Sequence, residues 1–479
     1  MTIKRKCTIV IDDEVKCHVA GLNPEDIKSL WEKFGVYVEG YRFMPLFQLG
    51  SWDGKVRFFD KHGKTYTKIL DKIVPYLISW NYEVDIIDNR LPVKLIEERI
   101  TSNYFDKIKE YEDGEERIEL RQYQVDCVNE MLDAGCGFII AGTGAGKTLI
   151  CAALASVLEQ NGIQTIIIVP SSDLVTQTIE TLERCGLTVG EYSGNTKNID
   201  EKIVVGTWQS LQNAPHHMLG FQAVIVDEAH GTRATVIREL INDNGGHISY
   251  RFGVTGTFPK PEADQYALTI SIGPIIKEIT VRWLIDNGYL SEVEIEPIML
   301  MEKIKKEEQE EFPDYSSERA YISMNERRLK KIASIIEEKR EQYGNTLVLT
   351  TSIKQGRKLE ELIPDSIFLY GESEKELRLQ NYKQYADRDD VIVIASVGIA
   401  SQGISIDRIF CLVLVDPEKS FIRAIQSIGR SLRKKGDKHK AHVVDLFSSL
   451  KWSKKHFANR KSYYKDAQYP FWDVEKMKY

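Results

Sequence analysis

A chain of 479 residues has room for about three domains of ordinary size and can bury large apolar cores. With 42% hydrophobic and 28% charged residues it has the make-up of a soluble globular protein, which excludes global disorder. A formal net charge of −7 excludes nucleic-acid affinity spread over the whole surface, so any such binding must rest on local basic patches.

The seven cysteines (Cys7, Cys17, Cys127, Cys136, Cys151, Cys185, Cys411) form no C-x-x-C pair and stand mostly inside apolar runs. They read as reduced core residues, not as a disulfide framework or a zinc site. The nine histidines, His216-His217 and His439 among them, show no metal spacing. Lys4-Arg5-Lys6 precedes an apolar stretch, Thr8-Ile9-Val10-Ile11, that is too short for a signal peptide, and no segment approaches the length of a membrane span. The expected location is the cytoplasm, that of a host cell if the source is viral.

Residues 1–110 mix short apolar alternations at 7–11, 55–59 and 83–87 with helical stretches, the pattern of a small α+β domain. Within it, residues 41–72 carry Arg42, Lys55, Arg57, Lys61, Lys64, Lys68 and Lys72 against Asp53, Asp60 and Asp71. Tyr41, Phe43, Phe47, Trp52, Phe58, Phe59 and Tyr66 are interleaved with them. Basic side chains release counterions from phosphates and exposed rings stack on unpaired bases, so Arg42, Trp52, Lys55 and Arg57 are candidate DNA contacts. The alternative is that most of these rings form the core of a small β-rich domain. The acidic stretch Glu110-Tyr111-Glu112-Asp113-Gly114-Glu115-Glu116 then reads as a linker.

From residue 117 to 291, strand candidates at 137–141, 165–169, 202–206, 223–226 and 252–255 alternate with helical patterns, which predicts a doubly wound parallel sheet. The first strand runs into Ala141-Gly142-Thr143-Gly144-Ala145-Gly146-Lys147-Thr148, and an alanine-rich apolar helix follows. A buried strand, a glycine-rich turn and a helix N-terminus aim several backbone N–H groups at one point, where phosphates bind. Lys147 is expected to reach the β and γ phosphates of ATP, and Thr148 to be a ligand of Mg²⁺. The strand at 223–226 delivers Asp227-Glu228-Ala229-His230 at its carboxyl end, the edge where ligands collect in such sheets. Asp227 is expected to hold Mg²⁺ and Glu228 to orient and deprotonate the attacking water, with His230 as a further catalytic candidate.

Charge dominates residues 302–331, which predicts a helical, solvated connection. Strand candidates at 346–350, 366–370, 391–395, 411–415 and 441–445 then restart the α/β rhythm, giving a second domain at 292–450 without its own phosphate loop. In it Gln426, Arg430 and Arg433 fall at three- and four-residue spacings, hence on one face of a helix. Arginines supplied across a cleft stabilise charge on a transferring phosphoryl group; a basic helix facing solvent is the alternative for this motif alone. From Glu418 to Lys465, Lys419, Arg423, Arg430, Arg433, Lys434, Lys435, Lys438, Lys440, Lys451, Lys454, Lys455, Arg460, Lys461 and Lys465 face only Glu418, Asp437 and Asp445. Such one-sidedness points to phosphate contacts, Lys434 and Lys435 among them. Residues 451–479 read as a basic, aromatic C-terminal extension.

Taken in order, these motifs resemble the superfamily 2 helicases over residues 118–447. That implies two tandem RecA-like doubly wound domains preceded by the small α+β domain. Leu120-Arg121-Gln122-Tyr123-Gln124 is similar to the family's adenine-contacting stretch, which adds Arg121 and Gln124 to the nucleotide-binding set of Gly142, Thr143, Gly144, Ala145, Gly146, Lys147 and Thr148. Val169-Pro170-Ser171-Ser172 and Val205-Gly206-Thr207-Trp208-Gln209 resemble motifs that grip the nucleic-acid backbone, implying Pro170, Ser171 and Thr207. Thr255-Gly256-Thr257 matches the motif that couples hydrolysis to movement. In the second domain, Thr350-Thr351-Ser352 and the stretch from Ser396 to Ile406 resemble strand-gripping and ATP-facing motifs, implying Thr351 and Ser396 on nucleic acid and Gly403 and Gln426 at the nucleotide. Ser405 stands where many members carry an acidic residue, and Asp407 where they carry proline. A narrower resemblance, from Gly40-Tyr41-Arg42-Phe43-Met44-Pro45-Leu46-Phe47 through Ser51-Trp52-Asp53-Gly54-Lys55-Val56-Arg57, is to the UvsW-type phage helicases, which remodel branched DNA in recombination-dependent replication and repair.

The resemblance implies an ATP- and Mg²⁺-dependent DNA helicase or translocase that unwinds or branch-migrates forks, junctions, D-loops or R-loops. It would act as a monomer on branched, single- or double-stranded DNA, with recombination or replication proteins as further partners and no membrane. Two alternatives stay open. One is an RNA helicase, suggested by Asp-Glu-Ala-His. The other is an ATP-gated DNA clamp without turnover, against which Lys147, Glu228, Arg430 and Arg433 count.

Overall fold

The computed structural model describes residues 5–90, 92–93, 95–112, 115, 117–142, 144–228, 238–256, 258–290, 292–302, 312–370, 388, 390–396, 409–417, 440–466 and 468–479. The chain divides into two compact units, Met1–Gly142 with Gly146–Ile279 and Thr143–Ala145 with Thr280–Tyr479.

The N-terminal part of the first unit is a four-stranded sheet in the order Lys64–Tyr66, Lys16–Ala20, Arg5–Ile11, Tyr82–Asp88. Arg5–Ile11 pairs antiparallel with Lys16–Ala20 and parallel with Tyr82–Asp88, and its alternation turns Cys7, Ile9 and Ile11 inward. Leu30 of the helix Pro24–Lys33, and Ile73 and Leu77 of Leu70–Ser79, pack against that face. The first helix starts on local chemistry: Asn23 Oδ1 accepts from the Asp26 amide at 2.8 Å, and proline stands at the first helical position. The apolar stretch 55–59 splits. Lys55–Arg57 forms a separate ribbon with Gly35–Tyr37, while Phe58 and Phe59 enter the core. That core is completed from far along the chain, because Ala263, Tyr266 and Ile270 of the helix Glu262–Ser271 pack into it and Tyr266 stacks on Phe58 at 4.9 Å.

The rest of the first unit is an eight-stranded sheet ordered Thr196–Lys197, Val189–Ser193, Ile203–Thr207, Thr165–Val169, Ala223–Asp227, Tyr250–Thr255, Cys136–Ala141, Ile275–Ile279. All neighbours run parallel except the first pair. Every residue of the four strands from Ile203–Thr207 across to Tyr250–Thr255 is buried, which is why they read as apolar runs in the sequence. One of them hides Arg251, fully buried, whose guanidinium donates to the carbonyls of Ile248 and Ser271 at 2.8 Å, Ile241 at 3.2 Å and Gly245. Burial lowers its pKa to about 10.

The second unit carries a seven-stranded sheet, all parallel, ordered Ser366–Leu369, Ile392–Ser396, Thr346–Thr350, Cys411–Val415, Lys440–Ser448, Glu292–Met301, Glu475–Lys478. The stretch 451–479, expected as a separate extension, contributes to this body directly. The helix Lys451–Asp466 packs on it, and Glu475–Lys478 is its edge strand. The helical, solvated connection expected at 302–331 is helical in its described part, at Tyr315–Met324 and from Glu326 onward, but the solvated part of the expectation is corrected: Glu302, Glu318 and Arg328 are buried. Their charges are tolerated inside because they are matched. Arg328 Nε bonds Glu302 at 3.0 Å while its two terminal nitrogens hold Asp416, and Glu318 accepts the backbone N–H groups of Trp452 and Ser453. Arg460 is equally buried, bidentate on Asp445 at 2.8 Å, which removes it from the candidate phosphate contacts.

Arg460→Met leaves Asp445 buried without its cation and is expected to lower the unfolding free energy by about 3–5 kcal/mol. Arg282→Ala breaks only the exposed pair to Asp286 and should cost less than about 1 kcal/mol. Urea unfolding of the two variants compares them.

Candidate nucleotide and nucleic-acid sites

Three neighbouring strands of the first sheet reach its carboxyl edge together. Register pairs Asp227 with Val254 and Thr255 with Ile140, so Asp227, Thr255 and Ala141 end at nearly one level. The turn after Ala141 begins with the Gly142 amide donating to the Ile279 carbonyl at 2.8 Å. Gly146, the residue before the helix Lys147–Gln160, has φ 73, and a Cβ there would lie 2.4 Å from Nε2 of the Gln124 side chain. Only glycine fits. Gly144 is also left-handed, at φ 83.

Lys147 Nζ lies 3.2 Å from Glu228 Oε1 and 3.4 Å from the Ala141 carbonyl. Glu228 sits at φ 52, an uncommon conformation for a residue with a Cβ. Its amide donates to the Val254 carbonyl and to Asp227 Oδ1, both at 2.9 Å, and its Oε2 faces the Gly256 amide at 3.5 Å. Asp227 is 8% exposed. A glycine-only turn, a helix N-terminus, one lysine over the turn, the hydroxyl residue Thr148 and two carboxylates on the next strand end make a donor set that fits a nucleoside triphosphate with a divalent cation. Cys151, fully buried on the same helix, has its thiol pushed well above the ordinary range by burial, with Asp227 adding to the effect, so it is inert as a nucleophile. Gln124 is almost wholly buried and its Oε1 accepts the Arg121 amide at 2.9 Å, while Arg121 Nη1 bonds Tyr123 Oη at 3.3 Å. Gln124 thus stands against the phosphate turn itself. Thr143, His230, Thr257, Gly403, Gln426, Arg430, Arg433, Lys434 and Lys435 lie outside the described residues.

Residues 117–260 match the family described as type III restriction enzyme, res subunit; residues 20–88 match the N-terminal domain of DNA helicase UvsW; residues 327–435 match the helicase conserved C-terminal domain. The chain is a superfamily 2 helicase. It is similar to the ATP-dependent DNA helicase uvsW of Enterobacteria phage T4, 27% identical over 450 residues that cover 91% of this chain and 89% of that protein. The DNA 3'-5' translocase XPB2 of Sulfurisphaera tokodaii is 24% identical over 366 residues, covering 67% and 80%. In fold the helicase is similar to the ATP-dependent type ISP restriction-modification enzyme LlaBIII bound to DNA, with a TM-score of 0.55 at 13% identity over 85% of this chain and 36% of that one. It is also similar to the Pyrococcus furiosus Hef helicase domain, with a TM-score of 0.50 at 16% identity over 71% and 98%.

The nucleic-acid candidates of the helicase are placed unevenly. Thr207 and Val169 are register partners, so the turns holding Pro170-Ser171 and Thr207 lie side by side, linked by Gln209 Nε2 to the Pro170 carbonyl at 3.4 Å. The Thr207 hydroxyl is turned inward, accepting the Ser210 amide at the start of a short helix, whereas Ser171 and Gln209 keep exposed surface. Thr350 and Ser396 are likewise register partners in the second sheet, and the Thr351 carbonyl accepts from Arg319 at 2.6 Å. In the N-terminal part Trp52 donates its indole N–H to the Lys55 carbonyl at 2.8 Å, and Arg57 is paired with Asp53 and lies over the Trp31 ring at 4.0 Å. Those two side chains are engaged within the fold. Arg42 is exposed, and Lys55 lies over the Tyr37 ring at 4.7 Å. Phe43, Leu46 and Leu49 are exposed apolar side chains of the 41–51 segment, Phe43 being 84% exposed.

Gly146→Ala forces a Cβ into a left-handed position against Gln124. It is expected to lower nucleotide affinity at least about tenfold, read by titration with a fluorescent ATP analogue; unchanged affinity would remove the turn from the site.

Proposed function

We propose that this helicase hydrolyses ATP with Mg²⁺ to move on branched DNA, unwinding or branch-migrating forks, junctions, D-loops or R-loops. The observation that carries the reading is the meeting of Lys147, Asp227 and Glu228 at one sheet edge, with the lysine 3.2 Å from Glu228. Lys147 holds the β and γ phosphates while Thr148 and Asp227 hold the cation, whose charge offsets that of the phosphates. Glu228 orients the attacking water and takes its proton, and the Gly256 amide beside Glu228 Oε2 relays the change to the end of the strand at Thr255. Arg121 and Gln124 serve the base side of the nucleotide, and Arg430 and Arg433 counter the charge that develops on the transferred phosphoryl group. Gly403, Gln426 and His230 complete the nucleotide set. Pro170, Ser171, Thr351, Ser396, Lys434 and Lys435 track the strand, while Arg42 and Lys55 hold the branched part. DNA as the track is supported by the likeness to a DNA helicase and a DNA translocase. The helicase acts as a monomer in the cytoplasm.

ATP turnover measured with single-stranded DNA, duplex DNA, a four-way junction and RNA should rise with DNA, most with the junction. Stimulation by RNA alone, or by no nucleic acid, overturns the reading. Glu228→Gln should bind ATP yet lose about 10²–10⁴-fold in turnover.

A further inference from the structure

The helix Lys451–Asp466 is locked in place from one side and left bare on the other. Ser453, Phe457, Arg460 and Tyr464 recur at three- and four-residue spacing and are buried. Arg460 and the Tyr464 hydroxyl both bond Asp445, Phe457 stacks on Phe447 at 3.9 Å, and Arg460 also donates to the Pro417 carbonyl. At the start of the helix, Glu318 accepts the Trp452 and Ser453 amides at 2.9 and 2.7 Å, a carboxylate placed where a helix N-terminus favours one. Such a helix is a rigid support.

Its opposite face carries Lys451, Lys454, Lys455, Ala458, Ser462 and Lys465, all exposed. None of the four lysines forms an ion pair with a described carboxylate, although the chain as a whole is acidic at −7. From Lys451 to Lys465 the stripe runs about 21 Å at the helical rise, with small residues at its middle that let another backbone come close. Duplex DNA presents one negative charge per roughly 1.7 Å over the same length. One ring borders the stripe: Trp452 is half-buried, with the Lys451 and Lys455 ammonium groups over it at 5.1 and 5.4 Å, while Phe457 and Tyr464 are buried and Tyr463 is half-buried. A surface for unpaired bases needs successive open aromatic platforms, and one half-buried ring lying under two lysines does not supply them, so this surface reads backbone and not bases.

We infer that the lysine face of Lys451–Asp466 is a docking surface for the phosphate backbone of duplex DNA. It holds the double-stranded arm of the substrate independently of sequence. The inference rests on the reading of the chain as a DNA motor and adds the site and the form of DNA it takes.

The test uses the full chain with Lys451, Lys454, Lys455 and Lys465 all changed to Gln, beside the same four changed to Arg. Counterion release gives each lysine–phosphate pair about a fivefold effect at 0.15 M salt. With two or more phosphates no longer neutralised, the Gln variant should bind a blunt 30-base-pair duplex about 25-fold more weakly or worse, and its slope of log affinity against log salt should flatten by about 2 or more. The Arg variant should bind as the parent does, which separates charge from misfolding, and single-stranded DNA should show a smaller loss. Equal duplex binding by the Gln variant, equal loss by the Gln and Arg variants, or a larger loss on single strands each overturns the inference. If the parent chain binds duplex while the Gln variant is unchanged, only this inference fails. If the parent binds no DNA, the motor reading fails with it.

Discussion

Lys147 rises from the first turn of its helix to meet Glu228 across the carboxyl edge of the first sheet, and in the same position it touches the Ala141 carbonyl. One ammonium therefore joins the phosphate turn to the strand that ends in the two carboxylates. The pair is only partly buried, with side chains 13% and 27% exposed, so neither charge is committed to the fold. A triphosphate carries several negative charges and competes well for the lysine against one carboxylate. Under the proposed function, a bound phosphate would draw Lys147 away from Glu228 Oε1. Glu228 is held in a left-handed backbone conformation that costs about 1 kcal/mol or more, offset by the two acceptors of its amide.

The charges of the second unit follow the opposite rule. Arg328 with Glu302 and Asp416, and Arg460 with Asp445, are 0–3% exposed and bonded from several directions. Gln355 adds a bond to Asp416, and Ser448 and the hydroxyl of Tyr479 add bonds to Glu302. Such pairs repay their desolvation only when the geometry is saturated, and they then fix one arrangement against others. What they fix is the end of the strand Cys411–Val415. Asp416 is gripped by Arg328 and Pro417 by Arg460, so the chain leaves that strand from a fixed point toward the segment bearing Arg430 and Arg433.

The sequence made the catalytic edge of the first sheet legible because buried parallel strands are unbroken apolar runs and the phosphate turn is spelled in glycine. Strands with one face or one end in water escaped: Val189–Ser193, Ile275–Ile279, Glu292–Met301 and Glu475–Lys478 carry polar residues among apolar ones instead of an unbroken apolar run. Charge was the second blind spot. Arg328 and Asp416 are 88 residues apart, and nothing local marks either as buried. For the same reason Arg460 counted as part of a basic surface, and Lys461, which lies over the Phe471 ring at 5.3 Å, looked the same as Lys465. Helical spacing separates them only after the buried face of the helix is known.

The N-terminal part and the nucleotide edge are tied by more than chain connectivity. Tyr266 and Ile270 complete the N-terminal core from a helix that leaves the strand ending at Thr255. The Glu14 amide bonds the Gly246 carbonyl at 3.2 Å and Lys16 pairs with Asp243 at 3.2 Å, on the segment that enters that strand after Asp227-Glu228. Arg251 clasps both segments from beneath through the carbonyls of Ile241, Gly245 and Ser271. Moving the N-terminal part alone would open its own core and break these bonds together. Arg42 and Lys55 accordingly belong to the same body as Lys147, Asp227 and Glu228, and under the proposed function DNA held by the first pair would move with the nucleotide edge.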